Sequence, residues 1–206
     1  SMPRGSGAAQ SWTEVGAWHD TATLFRRGLD RYPNDPVMHY DLALALEHQG
    51  QFVRAERHYR ESLKIRPRSA QALNNLGNLM FKEGRPGEAR ALYERALEIR
   101  PGWPLALNNL GNALRSLNRP DEAIARYREA LAHEALEDSG RSLHAVLANA
   151  LGTLLVRQGR SAEALAVLEP VAGERDPRLL ATLAAAYLMQ EDLVRADETA
   201  VRALSL

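Results

Sequence analysis

Pro33, Pro67 and Pro101 stand 34 residues apart, and five further columns share that spacing. They are Leu42, Leu76 and Leu110; Ala55, Ala89 and Ala123; Tyr59, Tyr93 and Tyr127; Leu63, Leu97 and Leu131; and Gly50, Gly84 and Asn118. A chain with this period folds as stacked copies of one small unit, each burying its apolar face against its neighbours. Composition then names the element. Of 206 residues 45% are hydrophobic but only 6% aromatic, so the core is built mainly from Ala and Leu, both strong helix formers. An all-α fold is expected.

Each unit reads as two helices. In the second, Leu73, Leu76, Gly77 and Met80 recur at i, i+3, i+4 and i+7 on one helical face. Gly84-Arg85-Pro86 breaks the chain, with Pro near the start of the next helix, where its missing N–H costs least. Ala89, Tyr93 and Ala96 form that second helix's inner face, and Pro101 stops it. Gly77, Gly111, Ala89 and Ala123 lack bulk where two helices approach closely, and a larger side chain there would overpack the contact.

A 34-residue helix–turn–helix with Leu-Gly, an aromatic on the second helix, small residues around it and a terminal Pro resembles the tetratricopeptide repeat (TPR). The resemblance implies a right-handed α-solenoid of stacked repeats. Residues 36–69, 70–103 and 104–137 match most closely, although the usual Trp of the first helix is His39, Leu73 and Leu107. From Gly111 to Gly152 the step grows to 41, close to two extra helical turns, which Ala135 and Leu136 on one helix and Leu143 and Leu147 on the next would absorb. Asp138-Ser139-Gly140-Arg141 is expected to turn there, extending the third repeat to 104–141. A fourth repeat follows at 142–176 and a degenerate fifth at 177–206. Before the array, 11–33 is expected to form a capping helix, with capping-box spacing from Ser11 to Glu14 and Trp12 or Trp18 covering the end. Ser1-Met2 has the look of a cleavage scar, and 1–10 is expected to be a disordered tag or linker.

Several function classes fall away. Lys plus Arg and Asp plus Glu both number 26, a balance unlike that of a non-specific nucleic-acid binder. No apolar run approaches the ~18 residues of a membrane span, and no signal-peptide pattern is present; a cytoplasmic chain without membrane insertion is expected. Cysteine is absent, which removes thiolate chemistry and Cys-ligated metals. There is no G-x-S-x-G, P-loop, G-x-G-x-x-G before a helix, or H-E-x-x-H, so no enzyme, catalytic residue, metal or cofactor is expected. His133 and Glu137 are spaced i, i+4 but lack a third ligand. His39, His48 and His58 are nine and ten residues apart, which puts them on no common helical face, and they read as structural or solvated.

One polar constellation stands out. Asn74 and Asn78 recur as Asn108 and Asn112, projecting nearly opposite to Leu76 and Met80, and the fourth repeat supplies Asn149, Thr153 and Arg157 at equivalent places. Asn is a poor interior helix residue because its amide competes for backbone hydrogen bonds. In proteins similar to this one, the first helix of each repeat lines a concave face where peptides bind. The resemblance therefore implies a groove in which Asn74, Asn78, Asn108, Asn112 and Asn149 pair with the backbone of an extended peptide. Lys82, Arg115 and Arg157 would then favour an acidic segment. The same asparagines also fit a purely structural ladder of helix–helix hydrogen bonds. In the groove reading the amides face away from the Leu-rich core, so replacing them is expected to leave stability nearly unchanged. Asn75 and Asn109, within the run Ala-Leu-Asn-Asn-Leu-Gly-Asn, resemble the asparagine ladder in the superhelical repeats of O-linked N-acetylglucosamine transferases. The expected function is a non-enzymatic scaffold that binds a protein or peptide partner. Its rivals are a substrate-presenting or regulatory segment of a larger enzyme, and self-assembly through Leu193, Ala196, Ala200, Ala203 and Leu204 on the last helix.

Overall fold

A computed structural model describes residues 21–134, 141–173 and 176–205. The described residues are helical throughout apart from turns and one short 3-10 segment. They fall into two compact units, one ending at Arg100 and the other beginning at Pro101. The first unit holds α1 (21–31), α2 (Pro36–His48), α3 (Phe52–Ile65), α4 (Ala70–Lys82) and α5 (Pro86–Ile99). The second holds α6 (Pro104–Ser116), α7 (Pro120–Glu134), α8 (Arg141–Arg157), α9 (Ser161–Leu168), a 3-10 turn (Glu169–Val171), α10 (Pro177–Met189) and α11 (Leu193–Leu204). Packing is chiefly between sequence neighbours: α2 on α3, α3 on α4 and α4 on α5 in the first unit, and likewise from α6 to α11 in the second, where α8 also packs on α10.

The helix starts follow local chemistry. Asp35 caps α2, its carboxylate accepting from the backbone N–H of Val37 and Met38, and Asp176 caps α10 by accepting from Arg178 N–H. Prolines open α2, α5, α6, α7 and α10. The turns inside the repeats obey one rule. Gly50, Gly84, Asn118, Gly159 and Glu191 all adopt positive φ, between 57° and 75°. In each case the next N–H reaches back to a carbonyl five residues earlier: Gln51 to Leu46, Arg85 to Met80, Arg119 to Leu114, Arg160 to Leu155 and Asp192 to Tyr187. This left-handed cap satisfies helix-end carbonyls and fixes the angle at which the second helix returns. The 41-residue step seen in the sequence reappears here, from Asn118 to Gly159, and a step of 32 follows, from Gly159 to Glu191.

Within a repeat the two helices meet through one contact. Tyr59, Tyr93 and Tyr127 are wholly buried, as are Ala55, Ala89 and Ala123. A Cβ built on Gly77 would stand 2.6 Å from Tyr93 Cε1, and one on Gly111 would stand 2.5 Å from Tyr127 Cε1. The small residue therefore makes room for an aromatic ring of the facing helix, more than for that helix's backbone. In the fourth repeat Leu168 takes the ring's place, 2.8 Å from a Cβ on Gly152.

The irregular repeats have local causes. α8 opens at Arg141, one residue inside the stretch read as a turn, and runs 17 residues. α9 is only eight residues long because Pro170 follows, and the chain closes with the 3-10 turn instead. The expectations for residues 1–10, the capping box at Ser11, Trp12, Trp18, Ala135, Leu136, Glu137 and Asp138-Ser139-Gly140 lie outside the described residues.

Two tests follow from this geometry. Gly77→Ala gains about 1 kcal/mol of helix propensity but drives a methyl into Tyr93, at roughly 1–3 kcal/mol. It is expected to lower the melting temperature, whereas Gly87→Ala, with nothing within 4 Å of the new Cβ, is expected not to. Glu191 holds a left-handed conformation (φ 61°) that costs a non-glycine residue about 1–2 kcal/mol. Glu191→Gly is expected to raise the melting temperature by about 2–4 °C for a chain of this size, read by calorimetry.

Candidate functional site

Each unit carries asparagines on its first helices, α4 in the first and α6 and α8 in the second, and the structure corrects how they are oriented. Asn74 and Asn108 are buried, at 1% and 8% exposure, and do not face away from the core. Asn78 and Asn112 are half-buried, and their side-chain carbonyls are engaged. Asn78 Oδ1 accepts from the Tyr93 hydroxyl at 2.8 Å, and Asn112 Oδ1 from the Tyr127 hydroxyl at 2.9 Å. A tyrosine ring driven into the core brings a hydroxyl that needs an acceptor, and the asparagine of the facing helix supplies it. Burial raises the pKa of both phenols, that of Tyr127 to about 12, so each stays a protonated donor.

In the first unit the row continues sideways. Asn74 Nδ2 points at Asn75 Oδ1 (3.4 Å), and Asn75 Nδ2 donates to Tyr40 Oη at 2.9 Å. Lys82 is exposed, and its Nζ pairs with Glu47 Oε1 at 2.5 Å, while Glu47 Oε2 accepts from the buried Tyr59 hydroxyl at 3.0 Å. In the second unit Arg115 and Arg157 are exposed, and neither forms an ion pair among the described residues. Thr182 Oγ1 on α10 lies 2.9 Å from both Asn149 Oδ1 and the Arg178 carbonyl, and one hydroxyl proton serves one of them at a time. Thr153 donates to its own helix at Asn149 O.

One atom of the row is left over. Asn108 Oδ1 is fully buried and has no hydrogen-bond partner among the described residues. A buried acceptor in that state costs roughly 1–3 kcal/mol, and a turn of the side-chain amide that brings Oδ1 to an incoming N–H would recover it.

Tyr40 and Asp41 occupy, one period earlier, the places of Asn74 and Asn75. They line a cleft of about 190 Å³ with Pro36, Val37, Arg66 and Gln71. Burial, and then the neighbouring Asp35, raise the Asp41 pKa above the usual carboxylate range. The 34-residue period points to these two positions, but an aromatic and an acid did not match the asparagine pattern, and sequence reasoning missed them.

Two histidines also meet where spacing along one helix gave no hint of it. His39 on α2 and His58 on α3 bring their Nδ1 atoms to 3.0 Å, with ring centroids 5.3 Å apart. Among the described residues no group of three or more His, Asp or Glu side chains is placed to hold a metal ion. On α11, Leu193 and Leu204 are exposed at 66% and 89%, whereas Ala196, expected to share their surface, is buried.

These hydrogen bonds reverse one expectation about stability. The double change Asn78→Ala, Asn112→Ala strips the acceptor from two buried tyrosine hydroxyls, at roughly 1–3 kcal/mol each. It is expected to lower the melting temperature clearly. Adding Tyr93→Phe and Tyr127→Phe, which remove the orphaned hydroxyls, is expected to restore part of the loss in thermal melts.

Among the described residues no helix is long and apolar enough to cross a membrane. A tetratricopeptide-repeat family model matches residues 34–102, 68–133 and 104–170. Protein O-mannosyl-transferase TMTC1 of Homo sapiens is 45% identical over 62 residues, which is 30% of this chain and 7% of that protein, and the Mus musculus protein gives the same figures. The match thus spans only 7% of the length of these relatives. Among solved structures, pilF of Pseudomonas aeruginosa superposes with a TM-score of 0.78 at 20% identity, over 93% of this chain and 85% of that one. YrrB, a TPR protein with an unusual peptide-binding site, superposes with a TM-score of 0.73 at 20% identity, over 89% of this chain and 92% of that one. Likenesses at such identities speak for the fold alone. With the family model covering most of the chain, and Tyr, Gly and the turn residues packed at its period, the chain belongs to the tetratricopeptide-repeat family.

Proposed function

We propose that the chain is a non-enzymatic protein-interaction scaffold whose first-helix rows hold an extended segment of a partner protein. The observation that carries this reading is Asn108 Oδ1, a buried acceptor with no partner, set in a row of amides that recurs from repeat to repeat. A peptide backbone presents N–H groups in series, and such a donor is what this atom lacks. Reading backbone suits a site that accepts several sequences. In the second unit, which also holds Asn108, preference among them comes from Arg115 and Arg157, which favour acidic side chains. Asn112 and Asn149 shape the row in the second unit, and Asn74 and Asn78 that in the first, with their carbonyls or amides already partly committed inside the fold.

A second reading is favoured by the 45% identity to an O-mannosyl-transferase segment. On this reading the array presents or regulates substrates for a larger glycosyltransferase. It predicts a transferase domain encoded in the same gene.

The decisive variant for the leading reading is Asn108→Leu. It removes the unsatisfied acceptor at similar volume, so thermal stability is expected to hold or rise. Binding of peptides selected on the parent chain from a random decamer library is expected to weaken about 2- to 13-fold, the equivalent of one hydrogen bond of 0.5–1.5 kcal/mol. Arg115→Ala is expected to lower the preference for acidic peptides and to flatten the salt dependence. Unchanged peptide affinity in a folded Asn108→Leu protein, measured by fluorescence polarisation, overturns the assignment.

A further inference from the structure

The imidazoles of His39 and His58 form a pair that the peptide-binding reading does not use. In the second repeat the same two positions are Leu73 and Leu92, an apolar pair in the same register. Packing alone therefore does not call for histidine. The first repeat has placed two polar rings, both half-buried, where its neighbour manages with hydrocarbon.

The hydrogen bonds fix the tautomers. His39 Nε2 lies 3.0 Å from the Pro33 carbonyl oxygen, which can only accept, so the His39 proton sits on Nε2 and its Nδ1 carries a lone pair. Across the 3.0 Å gap, His58 Nδ1–H then donates to His39 Nδ1. An imidazole whose far N–H is anchored on a backbone carbonyl is in the arrangement that metal-ligating histidines adopt. The separation fits as well. Two nitrogens bound at about 2.0–2.1 Å to one ion, at angles between square and tetrahedral, stand about 2.8–3.4 Å apart.

We propose that His39 Nδ1 and His58 Nδ1 form a two-histidine chelate for a borderline divalent transition-metal ion, with copper(II) bound more tightly than zinc(II). Each Nδ1 contributes one lone pair. The His58 proton leaves Nδ1 and Nε2 is protonated from water, so no net proton is released. Water fills the remaining coordination positions. The nearby charges are mixed: Arg57 on α3 and Arg26 on α1 oppose a cation, while Glu61, one turn along α3 from His58, attracts it. The site lies within the first helical hairpin, so a bound ion ties α2 to α3 and favours the folded first repeat by linkage.

The test titrates the purified chain with copper(II) chloride, followed by calorimetry and electron paramagnetic resonance. The expected result is one tight equivalent showing two imidazole nitrogens, together with a raised melting temperature. His58→Gln is expected to weaken that equivalent by about tenfold or more, while His48→Gln, His133→Gln and His144→Gln leave it unchanged. Equal affinity in the parent and in His58→Gln overturns the proposal. Should His58→Gln fail to fold, nitrogen NMR of the parent decides. Zinc must shift the Nδ1 signals of both His39 and His58, and unmoved signals show that the contact is a structural hydrogen bond only.

Discussion

A tyrosine ring laid against a residue with at most a methyl side chain sets the geometry of the first three repeats. With Gly77 or Gly111 beneath it, the ring of Tyr93 or Tyr127 enters the space a Cβ would fill, and the two helices of the repeat close onto it. Ala43, itself fully buried, stands at the corresponding place in the first repeat. Volume is conserved across the pair, which is what a close-packed interior requires. The contact also has a polar consequence. Each buried ring carries a hydroxyl, and each hydroxyl must find an acceptor: Glu47 for Tyr59, Asn78 for Tyr93, Asn112 for Tyr127. The helix that supplies the small residue supplies the acceptor too, so packing and polar satisfaction are solved by the same pair of helices.

That coupling explains why the asparagine row is ambiguous from sequence. The period and the breaks between helices of the regular repeats were legible, because each is a local property of a few consecutive residues or of their recurrence. Gly50, Gly84 and Asn118 are residue types that favour the positive φ found there, whereas Glu191 carries no such signal. What periodicity reports is the face of one helix. It does not report which atom on another helix fills a hydrogen bond. Lys82 looked like a free cation until Glu47, 35 residues earlier, was found beside it, and Asn78 looked like a free amide until Tyr93 was found above it. His39 and His58 were judged by their spacing along one helix, yet they sit on two helices of a hairpin, where residues 19 apart come together.

The charges show the same economy. With equal numbers of acids and bases, many exposed groups pair locally, as Arg119 does with Glu122 and Arg160 with Glu163. Others reach from one repeat to the next within a unit: Arg85 to Glu56 at 3.1 Å, and Arg128 to Glu163. Exposed pairs of this kind contribute little to stability, on the order of 0–1 kcal/mol. Their effect is on register. An acid and a base about one period apart are satisfied only when the repeats stack in step, and a slip by one turn would leave both unpaired or facing like charges.

A repeat protein contains its own comparison, since the same backbone position appears several times with different side chains. Where the side chains agree, as in the Tyr and Ala columns, the cause is packing that every repeat needs. Where one repeat departs, the fold itself does not require the departure, because its neighbours do without it. Among the three regular repeats, the first departs in its titratable groups. It carries Tyr40 and Asp41 where the next two carry Asn-Asn, and His39 with His58 where the second carries Leu with Leu. Each departure replaces a neutral or apolar solution with titratable chemistry at a half-buried place, which costs desolvation. Asp41 accepts that cost without an ion-pair partner among the described residues, and its raised pKa is the electrostatic record of it. The specific chemistry of this chain is therefore to be sought first between α2, α3 and α4, where the repeat pattern is broken at the surface and kept in the core.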